Sequence, residues 1–248
     1  MKKMPFASDT YDYLLQLIID SKRPIINFTQ SSNGAEGIII RHDVDFCPQK
    51  ATKIANIEYK KNIQSTFFFL VDSGLYNIRR TTNINCINKI ISMGHNIGLH
   101  FDAGKYNQDK RILNNNCKKQ LDILESLIGI ELDIISFHRP NKNLIGMSDK
   151  LANKRHTYMP MFINDMKYCS DSGGEWKYDD PETIINNKNI KNIQLLTHPI
   201  WWTTPKNLSA GEKVAFHLKG AKKDIHLIAA ENCIPYKVYL KNNGIYYE

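Results

Sequence analysis

The chain is poor in the features that would place it across a membrane or in an oxidising compartment. Among 248 residues there are five cysteines, Cys47, Cys86, Cys117, Cys169 and Cys233, odd in number and without a CxxC pair. That usage excludes a disulfide framework and fits a reducing environment. No apolar run reaches membrane-spanning length. Near Met1 the only apolar cluster, Leu14 to Ile19, is broken by Gln16 and flanked by Asp9, Asp12 and Asp20, so a secretory signal is not expected and a cytoplasmic location is. Internal repeats and low-complexity tails are absent. The net charge of +8, from 33 basic and 25 acidic residues, comes without RNP, zinc-finger or helix-turn-helix patterns, and nucleic acid is therefore not an expected partner. The positive field suits an anionic substrate, such as a nucleotide- or lipid-linked compound, or peripheral contact with an acidic membrane surface.

What is present is an alternation of short apolar strands with helices of ten or more residues, the signature of parallel βα units. Helical spacing appears at Ser8 to Asp20, Pro48 to Asn62, Cys86 to Met93, Lys110 to Ile128 and about Ser209 to Ala230. Strands are expected at Gly37 to Ile40, Ser65 to Leu70, Asn96 to Phe101, Ile134 to His138 and Lys191 to His198, with two more at Tyr236 to Leu240 and Gly244 to Tyr247. Between Met147 and Asp180 the pattern loosens into a long loop region around Gly173-Gly174. With 42% hydrophobic residues the chain can bury a full core, and residues 1–248 read as one domain: a lead-in with a helix (1–36), a motif-bearing part (37–202) and a C-terminal helix with strands (203–248).

The ends of the strands carry the titratable groups. The run Arg41-His42-Asp43-Val44-Asp45-Phe46 closes the first strand, and period-2 geometry puts Asp43 and Asp45 on one side and His42 on the other. Two anions that close need a cation beside them or a shared proton. Further along stand His100 with Asp102, His138 with Arg139, and His198. A lone histidine at a core edge is commonly a structural hydrogen-bond partner. Four of eight at successive strand ends point instead to a shared site at the rim where βα loops converge.

This ordered series resembles the polysaccharide deacetylase superfamily, the NodB-homology domains of carbohydrate esterase family 4. The motifs are His42-Asp43-Val44-Asp45, Gly94 to His100, Phe137-His138-Arg139-Pro140, Asp171 to Trp176, and Leu195 to Pro199. The resemblance implies an α/β fold, a distorted and incomplete (β/α)7-type barrel of parallel strands. It also implies a divalent metal, expected to be zinc, held by Asp45 and His100, with Asp43 as general base braced by Arg139 and His198 as general acid. Asp171 and Trp176 would line the substrate's acetyl pocket, and Trp201 offers a further flat apolar face for the sugar or its acetyl methyl group. Where the family has a second metal histidine, four residues after the first, this chain has Gly104. Hydrolytic zinc sites normally keep three protein ligands, so Asp102 or His138 must complete the set; His138 is preferred, leaving Asp102 to orient His100.

The activity this implies is hydrolysis of a carbon–nitrogen bond other than a peptide. The expected reaction is metal-dependent removal of an acetyl group from an amino sugar in an intracellular intermediate of surface polysaccharide or glycolipid biosynthesis. Two alternatives stay open: hydrolysis of another amide or formamide, and, because of Gly104, a catalytically inactive carbohydrate-binding or scaffold module.

Overall fold

A computed structural model describes residues 4–106 and 109–245. Seven strands, β1 (Ile38–Val44), β2 (Thr66–Leu70), β3 (Asn96–Phe101), β4 (Ile134–Phe137), β5 (Arg155–His156), β6 (Lys167–Ser170) and β7 (Ile193–Thr197), form one sheet in the order β5-β4-β3-β2-β1-β7-β6. Every pairing in it is parallel. The sheet curls into a half-barrel, and among the described residues β5 and β6 do not pair to close it. The helices are α1 (Ser8–Asp20), α2 (Phe28–Ser32), α3 (Pro48–Tyr59), α4 (Thr81–Ser92), α5 (Lys110–Ile128), α6 (Pro160–Ile163), α7 (Pro181–Asn186), α8 (Pro199–Trp202), α9 (Ala210–Asn232) and α10 (Ile234–Asn242).

Alternation along each strand divides the core in two. Ile38, Ile40 and Val44 of β1, Phe67 and Phe69 of β2, Leu99 and Phe101 of β3, and Ile193 and Leu195 of β7 join the helices in the larger cluster. On the opposite side Ile39, Phe68 and Ile134 pack with Phe28 and Phe162 to fill the concave face. Above that apolar floor the same parity brings Arg41, Asp43, His100 and Ser136 inward, so the polar ends of the strands converge. Two glycines permit this close packing. A Cβ on Gly98 would stand 2.4 Å from the Phe68 ring, and one on Gly37 would stand 2.3 Å from the Pro24 carbonyl oxygen.

The helices form for local reasons. α1 buries Tyr11, Leu14, Leu15 and Ile18 at helical spacing, and α3 opens with Pro48 in its first turn. Asp109 caps α5 by accepting from the backbone N–H of Arg111 and Ile112, and α5 ends at Gly129 with φ 73°. Two expectations need correction. Residues 147–180 contain β5, α6 and β6, short elements whose lengths leave no periodic trace. Tyr236 to Leu240 is not a strand but part of α10. The Tyr and Val content there suits a strand, yet strand propensity acts only where a sheet edge is offered. Pro235 in the first turn and packing against α9, with the Tyr236 ring 6.1 Å from that of His226, favour helix. Of the second expected strand, Gly244 and Ile245 lie in no strand and Tyr246 and Tyr247 lie outside the described residues.

Candidate active site

Arg41 and Asp43 share the inward face of β1, and Asp45 follows directly after its end. The Arg41 guanidinium is fully buried; its Nη2 donates to Asp43 Oδ2 at 2.8 Å and to Ser136 Oγ at 2.9 Å, and its Nη1 to Gln194 Oε1 at 2.9 Å. It also lies 5.3 Å from the Tyr158 ring and 5.7 Å from that of Phe68. Burial works against ionisation of Asp43, but the charge of Arg41, aided by His100 and His198, holds its carboxyl below the usual carboxylate range.

The brace on Asp43 is therefore Arg41, and the expectation for Arg139 is corrected. Arg139 Nη2 donates to Asp102 Oδ2 at 2.5 Å, and its side chain is 65% exposed. The residue lies past the end of β4 in the left-handed region, φ 51°, so strand parity no longer aims it inward. Asp102 is thereby occupied as well. It has left strand geometry to precede the 3-10 turn Ala103–Lys105, and its Oδ1 is buried without a partner among the described residues. It does not orient His100, whose Nδ1 also has no hydrogen-bond partner.

Asp45, His100 and His138 come together as three groups able to hold one metal ion, their ligand atoms all within 4.8 Å of one another; Asp102 is not among them. Asp45 Oδ1 lies 3.1 Å from His100 Nε2 and 3.3 Å from His138 Nδ1. Despite those distances it has no hydrogen bond of acceptable geometry. Donors about 2.1 Å from a tetrahedrally bound ion stand roughly 3.4 Å apart, so this spacing fits a shared cation better than direct contacts. Burial opposes the charge on Asp45, but the two imidazoles outweigh it and depress the carboxyl far below its ordinary range. A Cβ at Gly104 would make only ordinary 3.5 Å contacts, with Arg139 O and Asp102 Oδ1. Space does not demand glycine there; the third group of the trio, His138, comes from the end of the neighbouring strand.

His198, directly after β7, has its Nε2 3.8 Å from Asp45 Oδ2. Behind it is Asp171, which is fully buried and so does not line an acetyl pocket as expected. Its Oδ1 lies 2.6 Å from His198 Nδ1, while its Oδ2 accepts from the His198 backbone N–H at 2.9 Å and from Trp202 Nε1 at 2.7 Å. Burial would lower the His198 pKa, but the Asp171 charge raises it to about 9. The Asp171 charge thus favours the protonated imidazole. Trp201 is 6% exposed and packs edge-on to Phe46, whereas Trp176 is half-buried against Phe6 and Trp202. Asp43, Asp45, Phe46, Pro199 and Ile200 line a narrow crevice.

His42 does not join the site. Facing the helices, its Nδ1 lies 2.7 Å from Thr197 Oγ1 and its Nε2 2.9 Å from Glu58 Oε1. Glu58 also accepts from Tyr11 Oη at 2.6 Å and Ser65 Oγ at 2.7 Å, a buried network that ties α1 and α3 to β1. Sequence reading passes over Arg41. Its signal is nonetheless there: an arginine inside an apolar strand, two residues before Asp43 and on the same side, is tolerated only when paired.

No family model matches the sequence, and no curated protein does. The solved structures it is similar to are family 4 carbohydrate esterases. One from Bacillus anthracis matches at TM-score 0.43 and 14% identity over 86% of each chain. Peptidoglycan deacetylase PdaC from Bacillus subtilis matches at TM-score 0.45 and 13% identity over 77% of this chain and 85% of its own. A family 4 pseudoenzyme from Bacillus anthracis matches at TM-score 0.43 and 14% identity over 75% of this chain, which spans only 60% of that relative. The resemblance to the polysaccharide deacetylase superfamily stands on the motif series and on the incomplete parallel barrel that brings those motifs to one rim.

Proposed function

We propose that the protein is a metal-dependent N-deacetylase acting on an amino sugar in an intermediate of surface polysaccharide or glycolipid assembly, in the cytoplasm. The observation that carries this reading is the convergence of Asp45, His100 and His138 beside an arginine-held Asp43 and an aspartate-held His198. The five cysteines without paired spacing suit a reducing compartment. The net charge of +8 suits an anionic nucleotide- or lipid-linked sugar.

A divalent ion such as zinc, held by Asp45, His100 and His138, would polarise the amide carbonyl and acidify water. Asp43 is kept ionised by Arg41, and its Oδ1 has no hydrogen-bond partner among the described residues. It accepts the proton of the attacking water at that atom. His198, protonated and fixed in orientation by Asp171, gives its proton to the departing sugar amine. A backbone N–H near Phe46 would bind the developing oxyanion. Trp176 offers a partly open ring for the sugar or its acetyl methyl group.

Acetate release from a panel of nucleotide- and lipid-linked N-acetyl sugars tests the proposal, with metal content measured on protein purified without added ions. One ion per chain, and acetate release lost in Asp43→Asn, are the expected results. Formate released without acetate would move the protein to the formamide alternative. Absence of metal together with no turnover on any member of the panel would leave the inactive binding module.

A further inference from the structure

Helices α9 and α10 leave most of their apolar surface uncovered. Only Lys213 is buried in α9 and only Leu240 in α10, whereas the shorter α1 buries four side chains. Phe216, Leu218, Ile225, Ile234, Val238 and Tyr239 are between 45% and 76% exposed, six of the fourteen large apolar side chains exposed among the described residues. Soluble proteins rarely leave such a concentration open unless something covers it. The base of the pair is firmly held. Lys213 Nζ donates to the carbonyl oxygens of Phe6 at 2.8 Å, Trp201 at 2.9 Å and Pro205 at 3.0 Å.

Lysines share the uncovered faces. Leu218, Lys222 and Ile225 stand at i, i+4 and i+7 of α9, and Ile234, Lys237, Val238 and Lys241 at i, i+3, i+4 and i+7 of α10; all seven are exposed. α10 contains no acidic residue, and helical spacing puts Asp224 and Glu231 of α9 on a different face from the first stripe. A second copy of this chain would bring lysines against lysines as the apolar groups met. A bilayer with anionic headgroups meets both demands, because aliphatic groups enter the acyl boundary while lysine stems carry their ammonium groups out to phosphate. No helix among the described residues is long and apolar enough to cross a membrane, so the contact would lie in the plane of the surface.

We propose that α9 and α10 form the surface by which this protein docks on an anionic lipid bilayer. The inference is independent of the chemistry proposed for the site. Its test is co-sedimentation of the full chain with vesicles of phosphatidylcholine, alone or mixed with phosphatidylglycerol. Binding should be at least about tenfold tighter to the mixed vesicles and should weaken as salt is added. Substituting Ile225, Ile234 and Val238 together by Ser should reduce binding to both kinds of vesicle, with the thermal unfolding midpoint retained because all three are exposed. Lys222→Glu with Lys237→Glu and Lys241→Glu should remove the preference for phosphatidylglycerol. Equal binding to both vesicles, or none to either, would overturn the proposal. So would concentration-dependent dimerisation that the serine variant abolishes, since a second copy would then own the face.

Discussion

Arg41 holds Asp43 ionised, and a comparison of two arginines tests this. Arg41→Lys keeps the charge but cannot reach Asp43, Ser136 and Gln194 at once from one rigid fork. It should cut kcat for acetate release by roughly 10- to 100-fold. Arg139→Gln removes only the partner of Asp102 and should leave kcat within about threefold of the parent. A larger loss from Arg139→Gln than from Arg41→Lys in steady-state kinetics would return the brace to Arg139. The third metal ligand is tested in the same way. His138→Ala should drop bound metal well below one ion per chain, and Asp102→Asn should retain it, as measured by elemental mass spectrometry on dialysed protein. Neither Arg139's role nor Asp102's is legible from position alone, because both depend on where β3 and β4 end and the chain leaves strand parity.

Among the elements, β5 holds a titratable group that the site does not use. His156 is fully buried beside the Phe137 ring, its Nε2 3.1 Å from the Asp149 carbonyl oxygen and its Nδ1 without a hydrogen-bond partner. Burial lowers its pKa from 6.5 to about 4. An unfolded chain therefore takes up a proton between those values that the folded chain refuses, so stability falls as pH drops through that window and is retained above it. The upper limit is about 3 kcal/mol, at 1.4 kcal/mol per unit. Urea titrations at pH 7 and pH 5 should show a pH-dependent loss of stability that His156→Gln reduces; an unchanged pH dependence in that variant would remove His156 as its source. The same histidine shows what sequence withholds at this scale. Two-residue β5 leaves no alternation to count, while β3 is read correctly because its pattern runs over six residues that include His100.

At the scale of the whole molecule, a cation held by residues from β1, β3 and β4 or their ends would link strands that are far apart in sequence. Anything that binds the folded state alone stabilises it. A strong chelator should lower the thermal unfolding midpoint by several degrees, zinc should restore it, and Asp45→Asn should abolish the difference. An unchanged midpoint in the parent would count against a metal resident in this trio.

The parallel βα units, the inward side of β1 and the polar strand ends follow from the sequence by itself, because apolar alternation and the spacing of βα units are local properties that survive in the chain's order, while the barrel was implied by the family resemblance of its motifs. The division of labour at the rim was decided only by the tertiary structure. Whether an imidazole meets Asp45 or a buried glutamate, as His138 and His42 do respectively, depends on which element packs opposite it. Likewise Asp171 stands behind His198, not before a substrate, because β6 lies beside β7 in the sheet, a neighbourhood fixed by burial and pairing over the whole molecule.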